Sequence, residues 1–310
     1  METRYIISGV GLSKEEYIEI SREDMERLRD TKTRLINLMY FEEKFDILLE
    51  NFLEYEQEVF RATLNKIYFP ASSLDWSAGI GDIHAINRRL INLLTTTKLY
   101  LDQAVHDLNS VFMGASDNFT KLTRTEYDKV LGYRVLEALR NYVQHRGLPI
   151  HIMEYNVFPN EKRSSERSML HSVSVHINLD KLKEDGKFKA TVLNELFDME
   201  EEEGLKKKHQ VNIGKLLRQY VSSLGVIQNT MRTNLAEQLC ELDAVLEDLY
   251  KGIEERYGKT EMVYMAELHP LGFHGNKVFI SLTPINRRRL LMEKNRDFDT
   301  IDSHTATMDS

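Results

Sequence analysis

From His209 to about Tyr257 the apolar residues Ile213, Leu216, Leu217, Tyr220, Leu224, Ile227, Met231, Leu235, Leu239, Leu242, Leu246 and Leu249 stay in helical phase. A stripe of that length commits the region to helix and leaves it one face to bury. The same spacing runs from Ser21-Arg-Glu-Asp24, an N-cap box, to about Ile67 through Leu35, Leu38, Phe41, Phe45, Leu48 and Leu49. It returns from Asp82 through Ile86, Leu90, Leu93, Leu94, Tyr100, Leu101 and Leu108, and again from about Thr123 to His145. Helices this long, joined by short polar connections, pack most simply as an antiparallel bundle, so the expected fold class is mainly α. Five prolines and fifteen glycines in 310 residues, with 29% charged residues, exclude an all-β chain, and 42% hydrophobic residues supply a sizeable core.

Short β-like runs interrupt the helices. Arg4-Tyr-Ile-Ile reads as an N-terminal strand or extended arm, and Ile150 to Phe158 and Met169 to Asn178 alternate with period two. Glu261 to Leu268 and Lys277 to Thr283 flank Pro270-Leu-Gly-Phe-His-Gly275 as a hairpin. The two strand pairs are expected either as separate hairpins or joined, with or without the arm, in one small antiparallel sheet. Residues from about Lys183 to Met199 read equally as helix or strand. With no linker-like composition, the expected organisation is one composite domain over 1–295: an arm at 1–22, a helical bundle at 23–147, a β hairpin at 148–180, helix at 181–258, and a hairpin with a short helix at 259–295. The tail 296–310 reads as disordered.

Several function classes drop out. Cys240 is the single cysteine, so no intrachain disulfide forms; its place in an apolar-periodic run predicts a packed thiol in a reducing, cytoplasmic setting. The N-terminus lacks the pattern of a signal peptide, and no run approaches the ~20 apolar residues of a membrane span. A net charge of −8 argues against coating nucleic acid through bulk charge. The basic groups Lys206 to Lys208, Arg287 to Arg289, and Lys162, Arg163 and Arg167 read as solvated surface. His171 and His176, five apart in a strand, fall on opposite faces, and no zinc motif is present. His84 and His106 lack ligand partners, and His269 and His274 flank a turn. Gly79-Ile-Gly81 lacks the Lys-Ser/Thr of a P-loop and reads as a connector. No cofactor is expected.

The chemistry is concentrated in Arg140-Asn-Tyr-Val-Gln-His145-Arg-Gly-Leu-Pro149, at a helix end that Gly147 and Pro149 define. Asn141 and His145, four apart, share one helix face at the margin of the apolar stripe Leu131, Val135, Ala138, Leu139 and Tyr142, with Arg134 and Glu137 close by. Arg140 lies about 140° around the helix from His145 and needs a wrapped side chain, a deformed helix or a histidine from another chain to join it. A His that moves protons near neutral pH, an Arg that binds phosphate bidentately and an Asn that positions suit phosphodiester cleavage, for which RNA carries its own 2′-hydroxyl nucleophile. The same residues also suit a plain helix end, with His145 near the negative pole of the macrodipole and Arg140 and Arg146 as surface charges.

Arg140-Asn141-Tyr-Val-Gln-His145 resembles the signature of the HEPN superfamily, Arg followed by a polar residue and, a few positions on, His, in an all-helical domain. The wider string Glu137 to Pro149 is similar to uncharacterised bacterial HEPN-like proteins. The resemblance covers about thirteen residues and their helical setting. It implies a metal-independent endoribonuclease, of the kind found in toxins and phage-defence effectors, with RNA as substrate and a composite site across a homodimer. It further implies His145 as acid or base, Arg140 as phosphate binder and Asn141 as positioning residue. Arg146 and Tyr142 are added as substrate-binding candidates without support from the family signature. A restraining antitoxin or an activator protein is a further implied partner. Binding modules that keep the HEPN fold without cutting are the alternative.

Overall fold

A computed structural model describes residues 3–10, 12, 16–69, 76–159, 169–203, 209–258, 260, 262–268 and 275–304. Among the described residues the chain is mainly α-helical with small antiparallel sheets, as the periodicity predicts. The expected turn at Pro270 to His274 and the three basic residues Lys162, Arg163 and Arg167, with Lys206 to Lys208, lie outside the described residues.

The order of elements is β1 (Arg4–Gly9), β2 (Ile18–Ile20), α1 (Arg22–Tyr68), α2 (Trp76–Asn109), α3 (Ala115–Lys129), α4 (Leu131–His145), β3 (Ile152–Pro159), β4 (Met169–Asn178), α5 (Leu179–Asp185), α6 (Ala190–Glu203), β5 (Gln210–Asn212), α7 (Ile213–Asn234), α8 (Ala236–Tyr257), β6 (Val263–Leu268), β7 (Val278–Ile280) and α9 (Thr283–Lys294), then a 3-10 helix at Arg296–Ser303. Helix α1 starts where the N-cap box places it: the Asp24 N–H donates to Ser21 Oγ at 2.9 Å, and the Ser21 N–H returns to the Asp24 carboxylate at 3.3 Å. Gly79 and Gly81 belong to the first turns of α2 and are not a connector.

The strands do not join in one sheet. They form two, ordered β2-β1-β6-β7 and β3-β4-β5, with antiparallel neighbours throughout. The N-terminal strand does meet the C-terminal hairpin, with Arg4 opposite Leu268 and Gly9 opposite Val263. The 150–178 hairpin instead takes β5 as its third strand. Further along β4 the Val173 N–H donates to Thr63 Oγ1 of α1 at 3.1 Å.

Two stretches that read as single helices are each broken in two. Val130 sits extended (φ −113°, ψ 118°) between α3 and α4. Arg134 stabilises the break, donating from Nη1 to the carbonyls of Tyr127 at 3.0 Å and Asp128 at 2.8 Å, which α3 leaves free at its end. The stripe from 209 to 257 breaks at Leu235, after the weak helix formers Thr233 and Asn234.

The described residues gather into two compact units, each drawn from separated stretches of chain. The first comprises 1–43, 103–117 and 230–294. Its core sets Ile6, Ile7, Val263 and Met265 of the four-stranded sheet beside Met25, Leu28, Leu242 and Leu246 as buried residues. Two buried ion pairs lie in this unit, Arg232 with Glu42 and Arg288 with Asp243. Cys240 is exposed on α8, because the buried stripe passes through Leu239, Leu242 and Leu246 and leaves position 240 on the outer side.

The second unit comprises 44–102, 118–229 and 295–310. Its aromatic centre has Tyr100 between Phe45 and Phe119, at ring separations of 5.6 and 5.8 Å, with the Tyr100 hydroxyl donating to buried Gln228. The segment after Asn295 was expected to be disordered. Up to Ser303 it is helical and docked on α7: the Ser222 hydroxyl donates to the Asp299 carbonyl at 2.6 Å. Gly225 permits the approach, since a Cβ there would meet the Asp299 backbone nitrogen at 2.6 Å. Residues 305–310 lie outside the described residues.

Candidate functional site

The last turns of α4 carry the motif, and their position is fixed from both sides. Gly132 lets the start of α4 lie against α7, because its Cβ position is 2.4 Å from the Leu216 carbonyl oxygen. Beyond the helix, buried Asn87 of α2 clamps Ile150 at both backbone groups, accepting from its N–H at 2.9 Å and donating to its carbonyl at 3.1 Å. Ile150 lies just past Gly147 and Pro149, so the clamp holds the exit of the motif where the sequence ends the helix.

Within this unit a cleft of about 680 Å³ opens beside the motif. Asn141, Tyr142, His145 and Arg146 line it from α4, with Glu137 and Ala138 one turn earlier. Tyr127 contributes from α3, and Lys187, Phe188 and Lys189 from the connection between α5 and α6. Asn141 and His145 are exposed. Tyr142 is half-buried, its ring edge-on to Phe188 and to His151 at 6.4 Å each.

Of the five candidate residues Arg140, Asn141, Tyr142, His145 and Arg146, Arg140 alone is not among the described residues lining the cleft. Its side chain is 13% exposed and its Nη1 lies 2.7 Å from the Glu137 carboxylate. The other Glu137 oxygen accepts from the Tyr220 hydroxyl of α7. The geometry that keeps Arg140 off the His145 face thus has a local resolution, an ion pair one helical turn back. Sequence reasoning placed Glu137 near the polar stripe but did not foresee this pairing.

Sequence reasoning does not single out Tyr127 of α3, nor Lys187, Phe188 and Lys189 between α5 and α6, and the last three have a shared origin. They are delivered by Gly186, which caps α5 in the left-handed region (φ +65°) and turns the chain back towards α4. Lys189 Nζ donates to the Tyr127 hydroxyl and lies 5.0 Å from that ring's centroid. The signal was Asp185-Gly-Lys-Phe-Lys189, a glycine stop followed by two lysines, in a stretch whose period could be read either way. Among the described residues that line the cleft, Lys187, Lys189 and Arg146 lie beside His145, with one carboxylate, Glu137, that is already paired.

His151, just behind Tyr142, was not singled out from sequence. Burial, and then the charge of Lys181, push its imidazole down to about 4, and its Nδ1 accepts the Asn178 N–H at 3.1 Å. The ring is therefore neutral at pH 7 with its proton on Nε2. Since the unfolded chain takes up this proton near pH 6.5 and the folded chain does not, stability is full above that pH and declines as pH falls towards about 4. Urea midpoints measured across this window should show the decline, and His151→Gln should flatten it.

The other histidines fall elsewhere. His84 lines a smaller cleft of about 270 Å³ with Asn87, Arg88 and Leu148. His171 stacks on Tyr155 at 5.7 Å, and His176 lies 3.0 Å from the Ser174 hydroxyl, the two on opposite strand faces. His269 and His274 lie outside the described residues. Among the described residues no cluster of three or more His, Cys, Asp or Glu is arranged to hold a metal ion, and no helix is long and apolar enough to cross a membrane. Comparison with protein-family models, curated proteins and solved structures returns no match.

Proposed function

We propose that the chain is a metal-independent endoribonuclease of the HEPN kind, acting as a homodimer in the manner of a toxin or phage-defence effector. The observation that carries this reading is the cleft itself: His145, an imidazole suited to acid–base chemistry, opens into the same space as Asn141, Arg146, Lys187 and Lys189. A phosphodiester there meets three cations, and its developing charge is stabilised by groups already in place. In the reaction the 2′-oxygen bonds to phosphorus as the bond to the 5′-oxygen breaks. The 2′ proton leaves to a base and the departing 5′-oxygen takes one up, giving a 2′,3′-cyclic phosphate and a 5′-hydroxyl. His145 makes one of these transfers, and Asn141 orients the imidazole or the ribose. Local cations also answer the objection from the net charge of −8, since attraction at a cleft depends on the charges that line it.

One observation favours a second reading, a HEPN-like module that binds RNA or a protein without cutting. Arg140, the phosphate binder that the motif implies, is engaged by Glu137. The two readings separate in one assay: cleavage of a mixed RNA pool in EDTA by the wild-type chain, His145→Ala and Arg140→Ala, with product ends identified. The nuclease reading expects cyclic-phosphate ends from the wild type and a rate lower by about 10²- to 10⁴-fold in His145→Ala at unchanged stability. RNA binding by all three proteins with no cleavage by any would establish the binding module instead.

A further inference from the structure

We propose that Glu137 is an internal stand-in for the substrate phosphate, holding Arg140 in the resting chain and yielding it when a phosphodiester enters the cleft. This rests on the reading of the cleft as an RNA site and adds to it a means of keeping that site unreceptive until a strong enough anion competes.

The argument starts from how poorly Arg140 is satisfied. A guanidinium has five N–H donors in a planar fork suited to carboxylate or phosphate. Arg140 makes one short contact, from Nη1 to Glu137 at 2.7 Å. Its Nη2 reaches Asn141 Oδ1 only at 3.4 Å, and its Nε is buried without a hydrogen-bond partner. A cation held this way inside a protein gains from any anion that can offer more oxygens.

Access is the second part. Glu137 lines the cleft, so an incoming anion reaches the carboxylate that holds Arg140. Asn141, whose amide oxygen Arg140 already approaches, lines it too, one helix position further on. Arg140 therefore lies behind the cleft wall within one side chain of it, and rotation past Asn141 exchanges a carboxylate for a phosphate.

The third part is what becomes of Glu137 when Arg140 leaves. Its other oxygen keeps the Tyr220 hydroxyl, whose proton is held firmly because burial, and next the Glu137 charge itself, raise that phenol well above its usual range. The carboxylate thus remains hydrogen-bonded after the arginine has left. An acceptor that lines the cleft opposes the acceptor oxygens of a phosphate, so Glu137 sets a threshold for RNA binding as well as restraining the arginine.

The test is anisotropy with a fluorescent, fully 2′-O-methylated oligoribonucleotide, which binds without being cut, titrated at several salt concentrations against four proteins: wild type, Glu137→Gln, Arg140→Ala and the double variant. Glu137→Gln keeps an acceptor for Tyr220 and removes the charge. It should bind on the order of tenfold more tightly, with a salt dependence steeper by about the 0.7 expected per phosphate contact to a single strand. The double variant should lose that gain. Equal or weaker binding by Glu137→Gln, or a gain that survives in the double variant, would overturn the proposal while leaving the nuclease reading intact. Failure of the wild type and every variant to bind would overturn both. Should Glu137→Gln not fold, Glu137→Asp, one methylene shorter, must show a smaller gain in the same direction, and no gain there counts against the proposal.

Discussion

Glu42→Ala lowers the stability of the chain by about 3 to 5 kcal/mol, the cost of leaving a buried guanidinium without its carboxylate. Arg232 meets Glu42 as a fork on a fork, Nε to one oxygen at 3.0 Å and Nη2 to the other at 2.6 Å. The side chains are only 8% and 3% exposed, so water cannot replace the lost partner. The urea midpoint measures the loss. Replacing both partners at once, with Glu42→Leu and Arg232→Met, removes the charges together and should restore most of the stability. A double variant as unstable as Glu42→Ala would show that packing around the pair, and not the stranded charge, carries the effect.

Gly132→Ala is expected to cost about 3 kcal/mol and to disturb the cleft as well. The added carbon would sit 2.4 Å from the Leu216 carbonyl oxygen and 2.7 Å from Gln219 Cβ. Neither the carbonyl in the first turn of α7 nor the Gln219 Cβ, which its backbone fixes, can turn aside, so α4 must move away. Tyr220, which donates to Glu137, and Tyr133, which stacks edge-on against Tyr220 at 4.9 Å, lie on the two faces that would separate. On the proposed function, RNA binding should weaken along with the urea midpoint. Gly252→Ala is the control: on α8, with nothing within 4 Å of its Cβ position, it should stabilise by about 0.4 to 1 kcal/mol. Equal effects from the two glycines would refute the close-approach argument.

The helical skeleton was legible because burial repeats along it. Leu35, Phe45, Leu90, Tyr100, Leu217 and Leu224 are all buried, and all belong to stripes visible as periodicity. What periodicity does not carry is where a backbone bends while its apolar face continues. Val130 and Leu235 interrupt helices without interrupting the stripe, and the first break depends on one arginine reaching back to two carbonyls. The sheets show a related limit. Alternation marks strands but not their partners, so the short β5 and the division into two sheets are not legible in the sequence.

The site was legible in part for the same kind of reason. Asn141 and His145 share a face by helix geometry alone, and the cleft receives both. Arg140 was rightly awkward, but its partner Glu137 owes its conformation to Tyr220, some eighty residues away in sequence. Lys187 and Lys189 reach the cleft only because α6 packs near α4, a tertiary fact that no local pattern contains.

The pairing of Arg4–Gly9 with Val263–Leu268 also bears on how the chain is made. During synthesis β1 emerges first and its neighbour β6 roughly 250 residues later, which at ~5 to 20 residues per second is on the order of tens of seconds. Throughout that interval the nascent chain presents Tyr5, Ile6 and Ile7 with only the short β2 hairpin partner to shield them. A ribosome stalled anywhere between β1 and Val263 leaves that edge open to other chains, so the four-stranded sheet closes only once β6 and β7 have been made.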